Sequence, residues 1–274
     1  MAEQKANTHV ESGYAPVNGL KMYYEIHGSG QPQLVLLHGG LSAIGTSFGK
    51  VLPSFARTRQ VIGVEQQAHG HTADIERPLS FEQIADDTAA LLRHIGVEQA
   101  DFFGYSVGAG VALQLAIRHP ELVRKLVAAS GTYNSGGFHP GLLEYEDSMT
   151  PENLAGSPFE EEYARIAPKP EDWPRLIARV QALDREIQDW PPETIRAIKA
   201  PTLLIIGDSD IIRPEHTVEL FRLLGGGVAG DLVGLPRSRL AVLPGTTHIT
   251  LVDRAEWLVS MITEFLDAPE PVAR

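Results

Sequence analysis

Ser106 is the residue in this chain best placed to act as a nucleophile. It lies in Gly104-Tyr105-Ser106-Val107-Gly108, between the apolar pair Phe102-Phe103 and a helix-like segment from Val107 to Arg118. A serine hydroxyl attacks poorly at neutral pH unless a base takes its proton and the backbone projects it to where a substrate can reach. A sharp turn from strand to helix gives that projection, and glycines on either side let the tight backbone pass without Cβ clashes. The helix start also aims backbone N–H groups at the place where negative charge would collect on an attacked carbonyl oxygen. Without the flanking strand and helix, Gly-x-Ser-x-Gly would read as an ordinary glycine-rich turn.

A nucleophilic serine needs a histidine base, and the histidine needs a carboxylate to orient it. Downstream, the apolar, β-branched run Thr202 to Ile206 ends in Gly207-Asp208-Ser209-Asp210. A second run, Leu240 to Leu243, leads into Pro244-Gly245-Thr246-Thr247-His248. Serine, two candidate acids and histidine thus each follow a strand-like run, in the order Ser, Asp, His. In open α/β sheets, ligands bind outside those strand ends.

Together with His38-Gly39-Gly40 after Leu34 to Leu37, these motifs make the chain resemble the α/β-hydrolase superfamily over nearly its whole length. The resemblance implies an α/β fold with a mostly parallel central sheet flanked by helices. It implies that the turn after the third strand and the residue after the nucleophile supply two oxyanion N–H groups, here Gly40 and Val107, with Leu41 as a substitute for Gly40. It favours Asp210, the last residue of the Gly-x-x-Asp turn, over Asp208 as the acid. Some relatives carry the acid after the preceding strand, but Ala128-Ala129-Ser130-Gly131-Thr132 holds no carboxylate. One segment departs from the family pattern: Glu65-Gln66-Gln67-Ala68-His69-Gly70-His71-Thr72 has Ala68 where glycine is usual and Glu65 where aspartate is commoner. It is expected to shape a loop rather than do chemistry. Serine at position 106 excludes the branch with an aspartate nucleophile. The implied activity is hydrolysis of small to medium carboxylic esters or lactones through an acyl-enzyme formed on Ser106, without a cofactor or metal. A cofactor-free perhydrolase, a carbon–carbon bond hydrolase and a small-molecule binding protein with little turnover share these motifs and stay open.

The elements that must hold these residues can be read from turn signals and periodicity. Asn18-Gly19 between Gly13 to Val17 and Leu20 to His27 signals a hairpin. Buried strands are expected at Leu34 to Leu37, Gln60 to Val64, Asp101 to Gly104 and Lys125 to Ala129. Ser80 and Gln83 fit a capping box for a helix that runs to about Ile95 and stops at Gly96. Ala255 to Leu266 reads as a closing amphipathic helix. Alternating strands and helices imply a mostly parallel sheet covered on both faces. The alternation breaks over residues 134–195, which eight prolines punctuate into short pieces such as Pro174 to Glu186. A structureless loop of that length is improbable in a compact domain. It is read as an inserted helical cap, with residues 1–133 and 196–274 as the core. The cap carries 13 Asp and Glu against 5 Lys and Arg. Its aromatics, Phe138 and Trp173 among them, are expected to pack the cap onto the core, with a few lining the pocket.

The other candidates have plainer readings. His38 is expected to be structural. His69 and His71 stand two apart, but no Cys and no acidic cluster supports a metal there. His94, His119 and His216 read as helix-surface or helix-end residues, and His139 could face the substrate from the cap. Gly225-Gly226-Gly227 lacks the Gly-Lys-Ser/Thr ending of a phosphate loop. The absence of cysteine excludes disulfides and cysteine-ligated metals. A formal net charge of −12 argues against nucleic acid and anionic membranes as partners. Met1 to Asn7 lacks the apolar stretch of a signal peptide, and no run approaches the roughly 20 apolar residues of a membrane span, so a cytoplasmic location is expected. Residues 1–12 read as loose, and a homodimer stays open.

Overall fold

The computed structural model describes residues 10–185 and 189–269. Among them, the strands are β1 (Val10–Val17), β2 (Leu20–His27), β3 (Leu34–Leu37), β4 (Val61–Val64), β5 (Ala100–Tyr105), β6 (Val123–Ala129), β7 (Thr202–Ser209) and β8 (Arg239–Thr247). The helices are α1 (Ile44–Phe48), α2 (Leu52–Phe55), α3 (Phe81–His94), α4 (Val107–Arg118), α5 (Leu142–Glu146), α6 (Pro158–Ile166), α7 (Trp173–Arg185), α8 (Pro192–Arg196), α9 (Pro214–Leu223), α10 (Gly230–Val233) and α11 (Ala255–Asp267).

The strands form one sheet in the order β1-β2-β4-β3-β5-β6-β7-β8. The β1–β2 and β2–β4 pairs are antiparallel and the rest parallel. β3, β4 and β5 are buried at every residue, which is why they read as unbroken apolar runs: helices cover both faces of a parallel sheet. The period-2 alternation of a strand then divides the core. Val35, Leu37 and Phe102 join one apolar cluster with α3 and α4, while Leu34, Leu36 and Phe103 join another with α1, α2 and α11. The chain leaves β3 for β4 on one side and returns to β5 on the other. That reversal opens a crevice between the turns after β3 and β5, the usual ligand position in such sheets.

Local expectations hold with adjustments. Residues 1–9 lie outside the described residues, and Val10, Glu11 and Ser12, expected to be loose, already pair with His27, Ile26 and Glu25 in β1. Ser80 Oγ accepts the Gln83 N–H at 3.1 Å, but the Gln83 side chain turns to Asp87 at 3.0 Å instead of closing the capping box. Between residues 134 and 195 lie α5, α6, α7 and the start of α8, so the expected boundary at 195 falls inside a helix. Glu186, expected to end α7, lies outside the described residues. Tyr163 of α6 and Trp173, Leu176, Ile177 and Val180 of α7 pack on Leu41 and Ala68, from the turns after β3 and β4. Ala68 takes a left-handed backbone (φ 68), a conformation that favours glycine, and its methyl joins this cluster.

Candidate active site

Ser106 occupies the sharp turn between β5 and α4 with φ 56 and ψ −121. Such a conformation costs a non-glycine residue about 1–3 kcal/mol and persists only where the surroundings impose it. Here they do. The Ser106 N–H donates to the Ala129 carbonyl of β6 at 2.9 Å, and α4 packs hard against β3. A Cβ on Gly108 would stand 1.9 Å from the Leu37 carbonyl oxygen, and one on Gly104 would stand 2.1 Å from that of Gly108. Close approach of backbone to backbone, not conformational freedom, is what requires both flanking glycines.

The Ser106 hydroxyl lies 2.9 Å from His248 Nε2, and His248 Nδ1 lies 2.8 Å from Asp210 Oδ1. A carboxylate can only accept, so Nδ1 carries the proton and Nε2 is left to accept from the hydroxyl. Asp210 is buried and held on three sides. Ser130 Oγ donates to its Oδ2 at 2.6 Å and the Ile212 N–H to its Oδ1 at 3.1 Å. Burial alone would raise the Asp210 pKa, but the His248 hydrogen bond and charge, with those two donors, outweigh it and hold the carboxyl below its usual range. Asp208 is exposed and accepts the Gly245 and Thr246 N–H groups at 3.0 and 3.1 Å, tying the end of β7 to that of β8. Of the two acids, geometry brings only Asp210 to the histidine.

Gly40 and Val107 are neighbours: a Cβ on Gly40 would stand 3.3 Å from Val107 Cγ2. Neither N–H has an acceptor among the described residues. The Leu41 N–H is likewise without one, while its side chain is buried against α6 and α7.

Two contributors were missed by sequence reading. Ser130, at the end of β6, stands where some relatives carry the acid, and that position was the available signal; it serves by holding Asp210. Tyr105 Oη donates to the His248 carbonyl at 2.8 Å and its ring lies 5.3 Å from the imidazole, which fixes the histidine's backbone and tilt. Nothing in the sequence marked it.

The other histidines separate by environment. His38 is fully buried. Its Nε2 accepts the Gln66 N–H at 3.1 Å, so Nδ1 donates to the Gly39 carbonyl at 2.8 Å and braces the turn that carries Gly40. His69 Nδ1 bonds the Gln67 carbonyl, and His71 Nδ1 and N–H both go to buried Glu65, so this segment does shape a loop. His94 is exposed and His119 pairs with Asp86 at a helix end. His216 departs from the helix-surface expectation: it is buried, bonded to Thr132 Oγ1 at 2.9 Å and stacked on Tyr133. His139 is exposed and does not line the cavity at Ser106.

Burial pushes the His38 pKa down to about 3 and those of His69 and His216 to about 4. A histidine with a depressed folded pKa contributes stability that is present above its unfolded value of about 6.5 and is lost as pH falls towards the folded value. His216→Gln should therefore be less stable than the parent at pH 7. The gap should narrow by about 1.4 kcal/mol per pH unit below about 6, read from urea midpoints at several pH values. A gap that does not change with pH would show that His216 is not held neutral.

The space above Ser106 and His248 has an empty volume of about 380 Å³, part of it open to solvent, and its apolar walls include Phe81, Phe138, Ile211 and Ile212. Trp173 does not reach it; it lies 5.3 Å from the Tyr163 ring within the packing of α6 and α7.

The family described as "alpha/beta hydrolase fold" matches residues 32–190. The chain belongs to the α/β-hydrolase family. Among its relatives is a RutD protein of Azorhizobium caulinodans, whose name proposes carbamate hydrolysis (28% identical over 257 residues, 86% of this chain and 91% of the relative). Another is 2-hydroxymuconate semialdehyde hydrolase of a Pseudomonas species (27% over 290 residues, 93% of each chain). The enol-lactonase of Burkholderia xenovorans superposes with a TM-score of 0.70 at 20% identity, covering 93% of this chain and all of that one. This chain is a hydrolase of that family, and the relatives span several bond types.

Proposed function

We propose that this α/β hydrolase cleaves small to medium carboxylic esters or lactones by nucleophilic catalysis at Ser106. The observation that carries the reading is the unbroken chain Ser106–His248–Asp210, at 2.9 and 2.8 Å, beside two N–H groups without acceptors. His248 Nε2 takes the hydroxyl proton as Ser106 Oγ bonds the carbonyl carbon. Asp210 keeps the imidazole in the productive tautomer and stabilises the imidazolium. The Gly40 and Val107 N–H groups receive the oxyanion. His248 Nε2–H then protonates the leaving alcohol, and water, deprotonated by the same nitrogen, releases the acid and restores Ser106.

Residues 134–195 act in this reading as a cap that selects the substrate, with residues 1–133 and 196–274 as the core. The partner is a small molecule. Among the described residues no helix is long and apolar enough to cross a membrane. A second reading, carbon–carbon bond hydrolysis, draws on the 2-hydroxymuconate semialdehyde hydrolase relative. Turnover of p-nitrophenyl esters of rising acyl length and of a lactone panel, set beside a vinylogous diketone and a peroxide-plus-acetate assay, separates the readings. Diketone cleavage without ester or lactone turnover would replace the first by the second.

The cavity walls sharpen the expectation for the cap. Phe138→Ala should change the ranking of kcat/KM across acyl lengths by about tenfold, because a pocket wall is removed. Trp173→Ala should mainly lower stability, by about 3–5 kcal/mol, because it empties a packed cluster. Kinetic profiles and thermal melts on both variants check this; a length profile altered only by Trp173→Ala would reverse the assignment.

A further inference from the structure

Two carboxyl groups in the cavity have no part in the chemistry above. Glu146, at the end of α5, is only 6% exposed. Asp184 lies half-buried on α7, and both line the same cavity as Ser106 and His248. Gln181 Nε2 donates to the Glu146 and Met149 carbonyls at 2.6 and 3.2 Å, which locks the end of α5 onto α7 and keeps the two acids together. Neither carboxyl makes a hydrogen bond or ion pair among the described residues. Arg185, whose field reaches Glu146, is half outside and already paired with Asp147.

Burial raises the pKa of both acids, and the Glu146 charge adds to the rise at Asp184. An acid buried without a hydrogen-bonding partner is unfavourable in either state: ionised, Glu146 has only the fields of Arg185 and of a protonated His248 to offset it, and neutral it lacks an acceptor for its proton. Apolar or amide side chains would serve a neutral substrate without that penalty. A second carboxyl only increases it, unless a cation comes to lie between them. The surrounding charge points the same way, since residues 134–195 carry 13 acidic against 5 basic residues.

We propose that Glu146 and Asp184 form a subsite for a cationic nitrogen, so that the ester or lactone cleaved at Ser106 carries a basic amine. This deepens the hydrolase reading and rests on it. The ammonium donates to both carboxylates, and apolar Phe81, Phe138 and Ile212 hold the carbon chain that links it to the reacting carbonyl. The same subsite repels substrates bearing a carboxylate.

The test uses p-nitrophenyl esters of ω-amino acids, from 3-aminopropanoate to 6-aminohexanoate. Each is compared at neutral pH with the alkyl ester in which a methyl replaces the ammonium, and with the ω-carboxylate ester. At the best length, kcat/KM for the ammonium ester should exceed its alkyl isostere by at least about tenfold, the order expected of charge-assisted hydrogen bonds. The ω-carboxylate ester should be the slowest of the three. In Glu146→Gln/Asp184→Asn the ammonium-to-alkyl ratio should fall to about one or below. Turnover of alkyl esters with no ammonium preference at any length overturns this proposal and leaves the hydrolase reading standing. If neither these esters nor the lactone panel turns over, the ester and lactone reading fails. The subsite is then read from protection: alkylammonium ions, but not alcohols of the same length, should slow labelling of Ser106 by a small phosphonate. Equal protection by both would overturn the subsite.

Discussion

Ser106→Ala is expected to lower kcat for the best ester at least about 10³-fold and to leave the fold intact. The substitution removes one oxygen whose hydrogen bond goes to His248. Alanine inherits the same backbone, φ 56 and ψ −121, with a Cβ that serine already places there. The Ala129 carbonyl keeps its N–H donor and the two elbow glycines keep their contacts, so no new strain enters. What survives is the contribution of the oxyanion N–H groups and of substrate binding, which alone leave a small part of the rate. Steady-state kinetics, with circular dichroism as the check on folding, measure it. A small organophosphonate should add its mass to Ser106 in the parent and fail to do so in the variant. If the variant keeps more than about a tenth of the parent rate, acyl transfer through Ser106 is wrong and the cavity works by another route.

The buried strands and the positions of Ser106 and His248 were legible because each depends on local chemistry, whereas Asp210 was favoured over Asp208 only through the family resemblance. A strand buried on both faces must be an apolar run, and Leu34–Leu37, Ala100–Tyr105 and Thr202–Ile206 could hardly be anything else. A nucleophile turn needs small neighbours, and Gly104 and Gly108 declare it. The parts that stayed hidden depend on who faces whom. Ser130 supports Asp210 only because β6 lies beside β7, a pairing that no single segment encodes. His216 looks like a surface residue of an amphipathic helix until Thr132 and Tyr133 are seen packed on it. Phe138 and Trp173 are alike in composition and setting, but one walls the cavity and the other packs α7 onto α6. Glu146 and Asp184 read as two more acids in an acidic segment until two helices bring them into one cavity.

Asp210→Asn is expected to reduce kcat about 10⁴-fold, whereas Asp208→Asn should cost far less. Both residues sit in the same turn and both carboxyls are held below their usual range, but for different causes. For Asp208 the two backbone N–H groups of Gly245 and Thr246 do it. For Asp210, burial works against ionisation and the His248 bond overcomes it. An amide at 208 still presents an oxygen to one of those N–H groups, so the loop keeps most of its hold on the end of β8. An amide at 210 can turn its nitrogen to His248 Nδ1. That would reverse the tautomer, place a proton on Nε2 and leave Ser106 without a base. It would also present Ser130 and Ile212 with a neutral partner where they now support a charge. The loss should shrink as pH rises, because hydroxide can replace the missing base, whereas a loss at Asp208 arising from loop disorder should not follow pH in that way. Measuring kcat for both variants from neutral to alkaline pH therefore reads the role as well as the size of the effect. Equal losses, or a larger one at Asp208, would move the acid to the exposed end of the turn and require His248 to swing away from the position in which Tyr105 holds it.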